Sequence, residues 1–370
     1  MNFDFSDDQK RLKDIAFKFL KDRCSTEVVR STLEGDESYD RDLWKGIAEL
    51  EWPSTAIPEE YGGIGFGYLE LCVVAEELGR ALAPVPFGSS IYLAAEALLR
   101  FGSEEQKRKY LPQLATGETI GTLALAEGAG TPSPTSIATE VRDGKIFGNK
   151  LPVPDGEGAG LAVVVAADAD AGGAPGLFVV ELNDPAVSRK PVQTIDPSRG
   201  HARIGFEGAA AQRLEAGAGW AALEGLLDRA AVLFAFEQLG GADAALQMAV
   251  EYAKTRFAFG RPIGSFQAIK HKLADGFIKN ELARNNCYYA AWALSADASD
   301  LAIAAAGARV SATEAYEYIA AESIQTHGGI GFTWESDCHL FYRRSKLLSL
   351  SLGSARRWKD RLITQLEQAG

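Results

Sequence analysis

The sequence predicts an α+β chain laid out as three consecutive segments, helical, then β, then helical. Three observations predict it. Near the start, Ile15, Phe19 and Leu20 recur at helical spacing on one apolar face. In the middle, short runs such as Ala162-Val163-Val164-Val165 and Leu177-Phe178-Val179-Val180 are bounded by Gly, Asp and Pro, as strands are. Further on, Leu223, Leu227, Ala230 and Phe234 fall at spacings of four, three and four, a stripe that a helix turns toward a core. At 370 residues the chain exceeds the usual size of one hydrophobic core, and these changes of texture divide it at 1–118, 119–215 and 216–370.

Each element follows from local chemistry. Ser6 ahead of Asp7 and Asp8 is a helix start, with a hydroxyl to cap free amides and carboxylates at the positive end of the helix. Pro58 and the pair Gly62-Gly63 punctuate a loop between helices. Ser103-Glu104-Glu105-Gln106 has the S-x-x-Q form of a capping box and opens the next helix. Ala202-Arg203-Ile204-Gly205-Phe206 alternates like the other strands, so the middle segment reads as a small β-domain, a barrel or a sandwich. An Ala/Gly/Asp-rich loop is expected at 166–176. The alanine-rich stretch 301–325 suits closely packed helices with little side-chain entropy to lose.

Composition excludes several classes. With 46% hydrophobic and 24% charged residues the chain is ordinary for a globular protein, and its net charge of −12 argues against a nucleic-acid binder. Arg343, Arg344, Arg356 and Arg357 offer a local positive patch for an anionic ligand, or else a solvated helix face. Cys24, Cys72, Cys287 and Cys338 are far apart with no C-x-x-C spacing, which fits a reducing compartment rather than a disulfide framework. The four histidines form no metal-binding pair, so no metal site is expected. The charged start MNFDFSDDQKRLKD lacks the apolar core of a signal peptide, and no stretch has the length of a membrane span. A cytoplasmic location is the expectation.

The segment Arg256-Phe257-Ala258-Phe259-Gly260-Arg261-Pro262-Ile263-Gly264-Ser265-Phe266-Gln267, followed by Gln325-Thr326-His327-Gly328-Gly329-Ile330-Gly331, pairs a cation and an aromatic with glycine-relaxed backbone. Arginine's planar fork matches phosphate oxygens, and glycine lets backbone amides approach a ligand closely. Alone, R-x-x-F-G is short and Gly-Gly is usually a turn. Together and in this order they resemble the C-terminal half of the acyl-CoA dehydrogenase family. Pro58-Glu59-Glu60-Tyr61-Gly62-Gly63, Glu76-Glu77-Leu78-Gly79-Arg80 and the stretch Gly102 to Glu118 are similar to its N-terminal signatures. The resemblance implies a C-terminal four-helix bundle. It implies FAD between that bundle and the β-domain, with Arg256, Phe259, Gln267, Gln325, Gly328 and Gly329 serving the cofactor of a neighbouring subunit. It also implies an acyl-CoA thioester as substrate, a homo- or hetero-oligomer, and an electron-transfer flavoprotein as electron acceptor.

The family's reaction takes a proton and a hydride from adjacent carbons of the acyl group, and the proton requires a placed carboxylate. Where the family carries that glutamate near its C-terminus, this chain has Leu352, followed by Gly353-Ser354. The alternative position, on the first long helix of the C-terminal segment, falls on Ala230. Asp228 is the nearest carboxylate, two residues and about 200° round the helix, and its other reading is an exposed helix charge. The family's T-E-P-x-A-G-S-D segment appears as Ala126-Glu127-Gly128-Ala129-Gly130-Thr131-Pro132. Its W-I-T-N aligns with Pro152-Val153-Pro154-Asp155, where proline offers neither N–H nor hydroxyl. The end that serves a neighbour's flavin is kept and the end that would hold the chain's own is altered. Two function classes follow: a base-less subunit completing a partner's site, as in heteromeric dehydrogenases for steroid side-chain thioesters, or a divergent homotetrameric enzyme using Asp228. A thioester binder without redox role is disfavoured by the retained cofactor-end segment.

Overall fold

Ser6 caps the first helix as its sequence requires. In the computed structural model, which describes residues 6–369, the Gln9 amide donates to the Ser6 hydroxyl and the Ser6 amide to Gln9 Oε1. Residues 1–5 and 370, assigned by sequence to the first and third segments, lie outside the described residues. Helix α1 (Asp7–Arg23) buries Ala16 and Leu20, while Ile15 is 53% exposed. Ile15 therefore stands off the face assigned to it: the buried pair is spaced by four, and a neighbour of Ala16 is rotated by about 100°. Helices α2 (Thr26–Glu34), α3 (Arg41–Glu49) and α4 (Tyr68–Arg80) follow. A π-helical stretch, Gly88–Ala95, runs into α5 (Glu96–Phe101), and α6 (Glu104–Ala115) opens on the expected Ser103–Gln106 capping box.

Eight strands come next: β1 (Gly121–Ala124), β2 (Glu140–Arg142), β3 (Lys145–Pro154), β4 (Leu161–Asp168), β5 (Ala174–Glu181), β6 (Val187–Pro191), β7 (His201–Ala210) and β8 (Gln212–Ala218). They form one mixed sheet in the order β6-β7-β3-β2-β4-β5-β8, with β1 added parallel to β4. β4 is buried at nearly every position, as a strand covered on both faces must be. Among the described residues no pairing joins β6 to β8, so the sheet is open and the barrel form of the expectation gives way. β6 shows why: four of its five positions are exposed, two are cationic and one is proline, features that keep an edge from pairing onward.

The rest is helical: α7 (Gly219–Thr255), α8 (Gln267–Ser295), α9 (Leu301–His327), α10 (Cys338–Leu350) and α11 (Ala355–Ala369). The two-residue strands β9 (Phe257–Ala258) and β10 (Arg261–Pro262) form a hairpin between α7 and α8.

The chain divides into two compact units. One comprises residues up to Val29, Tyr68–Ala83 and Ala231 onward; the other comprises Arg30–Gly67 and Pro84–Ala230. In the helical unit, α4 and α7 meet backbone to backbone. A Cβ on Gly79 would lie 1.9 Å from the Glu237 carbonyl oxygen, and one on Gly240 would lie 1.8 Å from that of Glu76. Glu76, wholly buried there, accepts from Lys13 and Arg284 at 2.8 Å each. Arg80 and Arg284 both reach Asp243. The Glu-Glu-Leu-Gly-Arg segment is thus a packing and charge device within this unit. In the sheet unit, Gly63 is fixed by a similar approach, since its Cβ would lie 1.8 Å from the Ile57 carbonyl oxygen.

Candidate active site

In the helical unit, α7 runs out at Thr255 and the Arg256 carbonyl accepts from Ile263 N–H, closing the β9–β10 hairpin. Its tip is Phe259 and Gly260, with φ of 54° and 78°. A two-residue turn with positive φ at both positions suits Asn or Gly at the first, and a phenylalanine there is strained by roughly 1–2 kcal/mol. Phe259 is also 96% exposed, so burial does not compensate it. The ring is not wholly without company: it stands edge-on to Phe266, with centroids 6.3 Å apart. Behind the tip, the Arg261 guanidinium lies over the Phe266 ring at 4.1 Å, and Phe266 leads into α8 at Gln267.

The second segment closes α9. Gly328 caps the helix with φ 63° and ψ −138°, a conformation open to glycine. A Cβ on Gly328 or Gly329 would meet nothing within 4 Å, leaving an open cradle beside the backbone. The two segments are brought to one end of the unit: the Tyr252 ring stacks on His327 at 4.3 Å, and His327 Nδ1 donates to the Ser323 carbonyl. Arg256, Gln267 and Gln325 are exposed, and among the described residues no carboxylate pairs with Arg256.

The two base positions remain apolar. Leu352 follows α10 in a left-handed conformation with φ 63°, and Arg357 donates to its carbonyl at 3.2 Å. Ala230 is fully buried in α7. Asp228 is not an exposed helix charge. It is 4% exposed, and the adjacent Arg229 forms a buried ion pair with Glu96. The proposed basic patch is also dispersed: Arg344 is buried, donating to the Leu82 carbonyl and lying 3.7 Å from Glu237, while Arg356 faces Asp360.

In the sheet unit, the segment aligned with the flavin-ring contacts is organised by a pair that the sequence reading missed. Lys150, wholly buried on β3, donates to Glu127 Oε1 at 2.7 Å and to the Leu125 carbonyl at 3.1 Å. Glu127 also accepts from the amides of Ala138 and Thr139, so the pair staples the 126–139 loop to the strand. Burial pushes the Lys150 ammonium down to about 8, against the pull of Glu127. For Glu127 burial works upward, but Lys150 and the two amides outweigh it and hold the carboxyl below its usual range. The legible signal was a lysine in the same strand as the apolar Ile146 and Val153, both buried like it. Pro152 is exposed, and the Pro154 carbonyl is taken by the Thr122 hydroxyl at 2.6 Å. Asp155 accepts from Ser89 at 2.5 Å.

The helical unit therefore offers a guanidinium, two side-chain amides and glycine backbone at an open surface, which fits the phosphate end of a dinucleotide. The 152–154 segment does not fit the ring end, since two of its three side chains are prolines with no donor. Fold and segments together define an α–β–α chain of the flavin-dependent dehydrogenase class. Residues 6–118 match the acyl-CoA dehydrogenase N-terminal domain, and residues 217–361 match the acyl-CoA dehydrogenase C-terminal domain. The chain is 34% identical over 365 residues to acyl-CoA dehydrogenase IpdE2 of Mycobacterium tuberculosis, covering 97% of this chain and 98% of that one. Among solved structures it is similar to a variant of the Tcur3481-Tcur3483 steroid ACAD, at TM-score 0.88, 31% identity and 98% coverage of each chain. It is likewise similar to the ChsE4-ChsE5 complex from Mycobacterium tuberculosis, at TM-score 0.90, 30% identity and 99% coverage of each chain. The chain belongs to the acyl-CoA dehydrogenase family, FAD-dependent oxidoreductases acting on CH–CH bonds.

Proposed function

We propose that this chain is one subunit of a heteromeric acyl-CoA dehydrogenase, completing the active site of a partner chain that carries the base and the ring contacts. One asymmetry supports the reading: the cofactor-end surface is built, strained and open, while Leu352 and Ala230 stand at the base positions. Removing the proton beside a thioester carbonyl needs a proton acceptor in reach, and neither side chain is one. FAD, when bound in the assembly, supplies the hydride acceptor that no side chain provides. Arg256 would hold its phosphates, with Gln267, Gln325 and the Gly328–Gly329 backbone donating beside it and Phe259 giving an apolar face. The likeness to a steroid ACAD and to the ChsE4-ChsE5 complex supports a bulky, ring-bearing acyl-CoA and a paired-chain assembly. An electron-transfer flavoprotein would take up the electrons.

Co-expression with a dehydrogenase-like genomic neighbour, followed by flavin measured per chain, tests this. The expected result is little flavin on the lone chain and substoichiometric but stable flavin on a co-purified pair. A lone chain carrying a full flavin complement would contradict it.

A further inference from the structure

Two phenylalanines in one short stretch break local rules. Phe259 takes a left-handed turn position, φ 54°, that suits Asn or Gly. Phe266 takes the N-cap of α8 and gives the first amides of that helix no side-chain acceptor, where Ser6 and Ser103 supply one to α1 and α6. The two residues meet. Their rings stand edge-on, 6.3 Å apart at 86°, and the Arg261 guanidinium lies over the Phe266 ring at 4.1 Å. Phe266 is therefore the shared partner of the hairpin tip and of its return strand β10.

The backbone beneath Phe266 is anchored. Its N–H donates to the Ile263 carbonyl at 3.1 Å, and the Ile263 N–H donates to the Arg256 carbonyl at 2.8 Å. Between them Gly264 passes so close to α7 that a Cβ there would lie 2.9 Å from the Ala253 carbonyl oxygen. Among the described residues no carboxylate pairs with Arg261, so the ring is the contact that places its guanidinium. An aromatic face attracts a cation, and edge-on rings attract one another. Both contacts act against the strain at Phe259. A capping serine at 266 would serve the helix amides and offer neither.

We infer that Phe266 and Arg261 are positioning residues: an aromatic platform and the cation stacked on it, which hold the Phe259 tip in its turn above Arg256. Their bearing on cofactor binding rests on the reading of this hairpin as the cofactor-end surface. On that reading the clamp presents Phe259 and Arg256 already ordered, so less freedom is lost when the cofactor docks.

The test is hydrogen exchange of the Ile263 amide, which closes the hairpin, in the lone full chain without flavin. Phe266→Leu keeps apolar bulk without a ring face, and Arg261→Ala removes the cation; each is expected to raise exchange about fivefold. Phe266→Tyr keeps the face and should stay within about twofold of the parent. The double variant should exchange no faster than Phe266→Leu alone, because Arg261 acts through that ring. Unchanged exchange in either single variant, or additive effects in the double, overturns the inference. In the paired assembly, flavin affinity should fall about fivefold with Phe266→Leu and recover with Phe266→Tyr. Faster exchange with unchanged flavin affinity would overturn the cofactor-end reading and leave the clamp itself standing, so the two failures are distinguishable.

Discussion

The Glu127–Lys150 pair gives an asymmetric mutational response that follows from its burial. Lys150 drops from 10.5 to about 8 on folding, a cost on the order of 3 kcal/mol at neutral pH for keeping the ammonium inside. Its sign is fixed: the unfolded chain binds the proton more readily, so stability rises as pH climbs from about 8 toward 10.5. Glu127 acts oppositely. Held below its usual range, it contributes stability above the unfolded carboxyl value that is lost as pH falls through the folded one. Glu127→Ala leaves a buried ammonium with only the Leu125 carbonyl, and leaves the Ala138 and Thr139 amides without their acceptor, so a loss of about 3–5 kcal/mol is expected. Lys150→Met keeps the aliphatic stem, removes the buried charge and leaves Glu127 its two amides, so a change of roughly 0–1 kcal/mol is expected. Urea midpoints of both variants from about pH 7 to 10 measure this. Lys150→Met should also abolish the rise above about pH 8. Equal destabilisation by the two substitutions, or an unchanged alkaline slope in Lys150→Met, would refute the reasoning.

Three further outcomes are expected. Arg256→Ala should lower flavin affinity of the assembly roughly tenfold or more, with the thermal midpoint of the chain unchanged because the side chain is exposed; Arg256→Lys should recover part of it. Gly240→Ala forces a Cβ to 1.8 Å from a backbone oxygen, and should cost about 3 kcal/mol or more by chemical denaturation. Asp228→Asn should leave turnover of the paired assembly within about twofold, whereas a fall of roughly 10²-fold or greater would mark Asp228 as the base.

Much of the fold was legible because it is written in local chemistry. Ser6 and Ser103 cap helices through side chains only three residues away, and the valine runs of β4 and β5 carry their own strand signal. What was not legible depends on distant partners. Ile15 looked like core by spacing, but which face a helix buries is decided by what packs against it. Arg344 looked like surface charge, yet it serves carbonyls 262 and 261 residues earlier in the chain. Lys150 and Glu127 are 23 residues apart, and only the β3 register brings them together. Whether eight strands close depends on their edges, which a strand-by-strand reading does not see. For the candidate site, the residue types at 256–267 and 325–331 were readable, but the strain at Phe259 and the openness at Gly328 were not, because both are backbone properties.

Anaerobic reduction of bound flavin by acyl-CoA thioesters, including bulky ring-bearing ones, tests the partner-subunit reading most directly. It is to be measured on the lone chain, on Asp228→Ala and on the chain paired with a dehydrogenase-like partner. The expected result is slow or no bleaching by the lone chain and rapid bleaching by the pair, since a missing base forfeits about 10²–10⁴ in rate. Rapid bleaching by the lone chain, abolished by Asp228→Ala, would contradict the reading and make this chain a self-sufficient dehydrogenase.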